Sequence, residues 1–170
     1  MRNHRANPLS VKKIKTLKEL QPIIARLKAK KKKIVFTNGC FDILHYGHVQ
    51  YLEKAKQKGD ILILALNSDA SVKRIKGIGR PIVTEKDRAR VVSGLESVDF
   101  VVLFKENTPI NTIQTIKPDI LVKGADWQKD KIAGADFVSS YGGKIETIKL
   151  AAGRSTTDLI KKIEEQSRKA

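Results

Sequence analysis

At 170 residues and 19.0 kDa, the chain has room for one core with short appendages rather than two full domains. A composition 41% hydrophobic and 31% charged excludes collagen-like, low-complexity and fully disordered classes, and no apolar run is long enough to span a bilayer. The net charge of +16 asks for an anionic partner, yet it is unevenly spread: residues 1–33 hold 12 Lys and Arg against the single acid Glu19, and residues 34–170 hold 22 against 17.

Residues 1–15 therefore read as a basic flexible tail, and residues 16–170 as a single domain. Thr16 with Glu19 three residues on is a capping box, and Leu17, Leu20, Ile23, Ile24 and Leu27 continue it as an apolar helical stripe. That stripe leaves open whether the helix packs on its own domain or on a second copy, as a homodimer. Ile34–Thr37 and Ile61–Leu66 are short apolar runs of the kind that strands buried on both faces require, with a helix through Val49, Leu52 and Ala55 between them. Further strands are expected at Phe100–Phe104, Ile120–Val122 and Ile145–Ile148. Helices are expected about Lys86–Leu95, Ile110–Ile116 and Ile132–Tyr141, and a last one from Ser155 to about Glu165. Such alternation predicts an α/β domain, a doubly wound parallel sheet of five strands, with ligands bound beyond the carboxyl ends and functional loops after Phe36, Leu66 and Val122. The single Cys40 and the lack of a charged start followed by an apolar stretch point to a cytoplasmic setting.

Four segments carry the chemistry. Gly39 after the first long strand permits close backbone approach, and Gly47 opens a helix whose free amides favour an anion. His45 and His48 lie at that helix start, where imidazoles can donate to phosphate oxygens. A zinc pair or capping histidines are the alternatives, but the only other His is His4, so phosphate chemistry is preferred. Gly153-Arg154-Ser155-Thr156-Thr157 is a second phosphate-type start, which ordinary N-capping would equally explain. Asn67-Ser68-Asp69 leads into a stretch with Lys76, Gly77, Gly79 and Arg80, read as a flexible basic loop able to close over polyphosphate. Lys123-Gly124-Ala125-Asp126-Trp127 follows a buried strand, with Trp127 either facing a nucleotide or plugging the fold.

Gly39-Cys40-Phe41-Asp42 with His45-Tyr46-Gly47-His48 resembles the signature of the cytidylyltransferase-like nucleotidyltransferase superfamily, over about residues 16–165. Together with Phe36-Thr37-Asn38-Gly39, Gly79-Arg80-Pro81, Leu121–Trp127 and Gly153–Thr157, it resembles the branch of heptose 1-phosphate adenylyltransferases in stand-alone form. The resemblance implies a Rossmann-like sheet with an extra N-terminal helix, and a reaction in which ATP and D-glycero-D-manno-heptose 1-phosphate give ADP-heptose and pyrophosphate for the lipopolysaccharide core. It implies Mg2+ carried mainly by the ATP phosphates, no metal held by protein side chains alone, and a separate sugar kinase in the pathway. Carried over by motif, His45 and His48 are catalytic. Thr37, Asn38, Gly39, Cys40, Phe41, Lys123, Gly124, Asp126, Arg154, Ser155 and Thr156 bind nucleotide, and Lys76, Arg80 and Arg88 meet the sugar phosphate. The glycerol-phosphate cytidylyltransferase branch has a basic residue ahead of its Ser-Thr-Thr where this chain has apolar Leu150-Ala151-Ala152, which weakens that alternative. A nucleic-acid-binding module built on the basic leader is the other alternative, disfavoured because the leader lacks interleaved aromatics.

Overall fold

The uninterrupted apolar runs are strands covered on both faces, as a sheet wrapped by helices on either side requires. The computed structural model describes residues 9–151, 153 and 155–169. In chain order the elements are α1 (Leu9–Lys13), β1 (Ile14–Lys15), α2 (Leu17–Ala29), β2 (Ile34–Gly39), α3 (Tyr46–Lys56), β3 (Ile61–Asn67), α4 (Asp69–Lys76) and α5 (Glu85–Ser93). They continue as β4 (Phe100–Phe104), α6 (Ile110–Ile116), β5 (Ile120–Gly124), a 3-10 turn (Lys129–Lys131), α7 (Ala135–Ser140), β6 (Lys144–Ile148) and α8 (Thr156–Ser167). All strand pairs are parallel, in the spatial order β1, β4, β3, β2, β5, β6. The chain thus starts its long strands at the centre, builds outward through β3 and β4, and returns across to β5 and β6. The topological switch lies between β2 and β5.

Strand alternation feeds two cores. Val35, Leu62, Leu64, Leu66 and Val122 face one side, where Leu52 and Ala55 of α3 and Ala89 and Val92 of α5 cover them. Ile34, Phe36, Ile63, Ala65 and Leu121 face the other, beneath Leu20 and Ile24 of α2, Ile113 and Ile116 of α6, and Val138 of α7. The strand starts are held by loop carboxylates: Asp119, Asp60 and Asp99 accept from the N–H groups of Ile34, Lys33 and Leu62 at 2.7–2.8 Å. The capping box at Thr16 and Glu19 forms as expected.

Three expectations change. Among the described residues the sheet has six strands rather than five, because Ile14 and Lys15 pair with Val101 and Val102 at its edge. Residues 9–15, expected within the flexible tail, are a helical turn and this strand, fastened by Lys13 Nζ donating to the Leu95 carbonyl at 2.9 Å; residues 1–8 lie outside the described residues. The segment expected to be a basic loop is helical as far as Lys76, since Ser68 caps α4 by accepting from the Ser71 N–H, and Val72 is buried. No helix among the described residues is long and apolar enough to cross a membrane.

Candidate active site

The pairing registers explain where the site opens. β2 stays paired with β3 as far as Gly39 opposite Leu66, but with β5 only through Val35 opposite Ile120 and Phe36 opposite Leu121. Beyond that point the two strands part, and a cavity of about 510 Å³ fills the crevice. Lys123 on β5 reaches back across it, its Nζ donating to the Asn38 carbonyl at 3.1 Å.

The turn after β2 places both histidines on this cavity. A side chain at Gly39 would drive its Cβ to 2.7 Å from the Phe41 ring, so only glycine lets that ring fold back under the turn. Phe41 takes a left-handed φ of +46°, an uncommon conformation for an aromatic residue, and its burial holds it there. Its ring centroid lies 4.8 Å from that of His48, and His45 and His48 stack at 3.8 Å with planes 21° apart. Burial, and secondarily the adjoining His45, lower the His48 pKa to about 4 despite the Ile43 carbonyl's favouring its charged form, so the ring is neutral at pH 7. Its Nδ1 and the Asn38 side-chain oxygen are buried without a hydrogen-bond partner, an arrangement that an incoming ligand would complete.

The opposite wall is built from β5 and the start of α8. Burial depresses the Lys123 pKa to about 8, with Cys40 and Asp126 opposing, and its ammonium sits 5.5 Å from the centre of the half-exposed Trp127 ring. The space above Gly124 is taken by the Asp126 carboxylate and Leu150, which any side chain at 124 would displace. Ser155, Thr156 and Thr157 line the cavity at the α8 N-terminus. Ser155 is also a genuine N-cap, accepting from the Asp158 N–H and donating to its carboxylate, while Thr156 donates to the Ile43 carbonyl at 3.5 Å. Arg154 lies outside the described residues.

The expected sugar-phosphate residues separate. Lys76 and Arg80 both line the cavity, with Arg80 Nε donating to the buried Asp42 at 2.6 Å. Asp42 also accepts from the Ile82 and Val83 N–H groups, so it pins the segment that carries Arg80, and these bonds hold its carboxyl below the usual range against the cost of burial. Arg88 does not reach the cavity. It is 1% exposed, and its guanidinium is spent on the carbonyls of Val83 and Cys40 and on Asp69, which makes it an internal strut. Thr37 is likewise fully buried, sharing a 2.7 Å hydrogen bond with the Tyr51 hydroxyl one layer beneath the site. Cys40 lines the cavity with its thiol pushed up by burial. Asn67, Asn107, Thr108 and Pro109 also line it. The last three follow β4, and extending the carboxyl-end rule to Phe104 would have found them.

Residues 36–163 match the family model described as cytidylyltransferase-like. The chain belongs to the cytidylyltransferase-like family. It is 54% identical to the "Bifunctional protein HldE" of Geobacter metallireducens over 89% of this chain and 31% of that protein, and 49% identical to the protein of the same name from Geotalea uraniireducens over 93% and 32%. The chain thus spans about a third of the length of these relatives. Among solved structures, a lipopolysaccharide core biosynthesis protein from Thermoplasma volcanium is 30% identical, with a TM-score of 0.58 over 71% of this chain and 97% of that one. A pantoate-beta-alanine ligase from Francisella tularensis, solved with beta-gamma ATP and beta-alanine, shares the fold at 17% identity and a TM-score of 0.59. As a cytidylyltransferase-like domain, the protein is a nucleotidyltransferase.

Proposed function

We propose that this cytidylyltransferase-like domain joins ATP to D-glycero-D-manno-heptose 1-phosphate, releasing pyrophosphate and forming ADP-heptose. The observation that carries the reading is one cavity, of a volume suited to a nucleotide with its partner, onto which the stacked histidines, Lys123 with Trp127, and the α8 start all open. The names of the relatives and of the Thermoplasma protein support the sugar-phosphate branch.

The sugar phosphate is already anionic at pH 7, so the attacking oxygen needs no general base. The catalytic task is to hold that oxygen in line with the α-phosphorus and to offset charge moving onto the leaving pyrophosphate. His45 and His48 lie where they can donate to those oxygens, and the α8 N-terminus with Ser155 and Thr156 would hold the outer phosphates. Lys123 would draw the phosphate chain toward β5, and Trp127 would flank the base. Lys76 and Arg80 would receive the sugar phosphate. Among the described residues no three His, Cys, Asp or Glu side chains gather as a metal site. Mg2+ carried on phosphate oxygens fits this donor set, with Asp126 the cavity carboxylate not already committed to Arg80. A separate kinase would supply the phosphorylated sugar.

The test is pyrophosphate release from each nucleoside triphosphate paired with heptose 1-phosphate or with glycerol 3-phosphate. Release with ATP and the heptose is expected. Release only with CTP and glycerol phosphate would move the protein to the cytidylyl branch, and none with any pair would sink the reading.

A further inference from the structure

A cluster of lysines lies away from the candidate active site. At the opposite end of the sheet, where β2, β5 and β6 begin, a basin of about 370 Å³ is lined by Lys28, Lys31, Lys32, Lys33, Lys117 and Tyr141. Among the described residues Lys31, Lys33 and Lys117 are in no ion pair, and Lys32 shares only a half-exposed contact with Asp60. The one acid lining the basin, Asp119, already accepts from the Ile34 N–H at 2.7 Å. A neighbouring hollow of about 300 Å³ shares Lys33 and Tyr141 and adds Lys144, and Lys58 in its ion pair with Glu146.

Lys31 and Lys117 both adopt left-handed conformations, with φ of +55° and +48°, just past the ends of α2 and α6. Helices that end this way ordinarily place glycine there, because a side chain is strained in that region. Here two helices from distant parts of the sequence accept that strain, and both residues line the same basin. Lys28 completes its floor, with Nζ donating to the carbonyls of Ile116 and Lys117 at 3.2 and 2.6 Å. Burial is the main cause that lowers the Lys28 pKa, with Asp119 opposing it and Lys117 adding a smaller push in the same direction.

We propose that this basin is a second, non-catalytic anion site that takes a multiply charged phosphate group, either a free polyphosphate or a phosphorylated lipid head group. Lysines act as point charges and suit phosphate of any orientation. The Tyr141 ring packs edge-on against Phe137 and its hydroxyl donates to the Pro118 carbonyl at 2.9 Å, so it is not a free platform for stacking bases. A hollow of this size accepts a discrete phosphate cluster rather than a duplex.

The experiment uses the full chain and the double variant Lys31→Gly with Lys117→Gly. Glycine fits both backbone positions, so the variant should fold, and its distance from the catalytic cavity should leave pyrophosphate release unchanged. Inorganic triphosphate is titrated while backbone amide resonances are followed. Saturable shifts are expected at Lys31, Lys33 and Lys117, weakened by at least about tenfold in the variant, while shifts at Gly39 and Gly124 persist. Sedimentation with phosphatidylcholine vesicles containing phosphatidic acid separates the two sources. Vesicle binding lost in the variant assigns the head group, and triphosphate binding without it assigns a free polyphosphate. No shift at the base with either probe, equal binding by variant and wild type, or DNA moving these amides where triphosphate does not, would overturn the proposal.

Discussion

His48 shows how a residue's surroundings decide what it can do. Burial and the stacked His45 both act against its charge, so between about pH 6.5 and 4 the unfolded chain binds a proton that the folded ring refuses. Stability present above about pH 6.5 should therefore be lost as the pH falls toward 4, by on the order of 3 kcal/mol at most. His48→Asn should flatten that part of the profile in denaturant melts, and an unchanged slope would remove the cause assigned here. In turnover, His48→Ala should keep nucleotide affinity within about tenfold while slowing pyrophosphate release by roughly a hundredfold or more, the scale of one lost oriented donor. Equal loss of both would mean the ring binds without favouring the transition state. Lys123 has its own signature. With its pKa near 8, ATP affinity should hold at about pH 7 and weaken toward about pH 9 as the ammonium deprotonates, and Lys123→Met should bind more weakly with little pH dependence. A calorimetric titration at the two pH values distinguishes these outcomes.

At the scale of elements, Arg88 couples α5, the turn after β2 and the start of α4 through one buried guanidinium. Arg88→Met should cost about 2–4 kcal/mol in thermal or chemical melts, because it leaves buried carbonyls without donors and Asp69 without its cation. Turnover should fall as well, since the Cys40 carbonyl belongs to the turn that aims the histidines. Arg80→Ala should cost less stability and act mainly on the KM for the sugar phosphate. Both arginines fell in the same cationic stretch of sequence, and their spacing did not distinguish them. Glycine and histidine positions in the 39–48 turn were legible because strand, tight turn and helix start follow one another locally. The helix at Asp69–Lys76 was missed because its glycine-rich, cationic continuation masked a cap at Ser68 and a single buried contact at Val72.

For the whole molecule, the sheet order separates tasks in space. β1 stands at the far edge, with β4 and β3 between it and β2, so its removal exposes an edge without touching the cavity. Deleting residues 1–15 should lower stability by roughly 1–2 kcal/mol through loss of the Ile14 and Lys15 pairing and the Lys13 tie to Leu95, yet leave pyrophosphate release near wild type. A deletion that abolished turnover would place this segment in the site. The short apolar runs alternating with helical stripes were enough, unaided, to determine a doubly wound parallel sheet, because those signals are periodic and short-range. Only the folded arrangement decided that Arg88 and Thr37 face inward, that Arg80 is tethered by Asp42, and that lysines from the ends of α2 and α6 meet at the base. Each of those outcomes depends on which distant groups burial brings within hydrogen-bond or charge distance, and linear spacing carries no record of that.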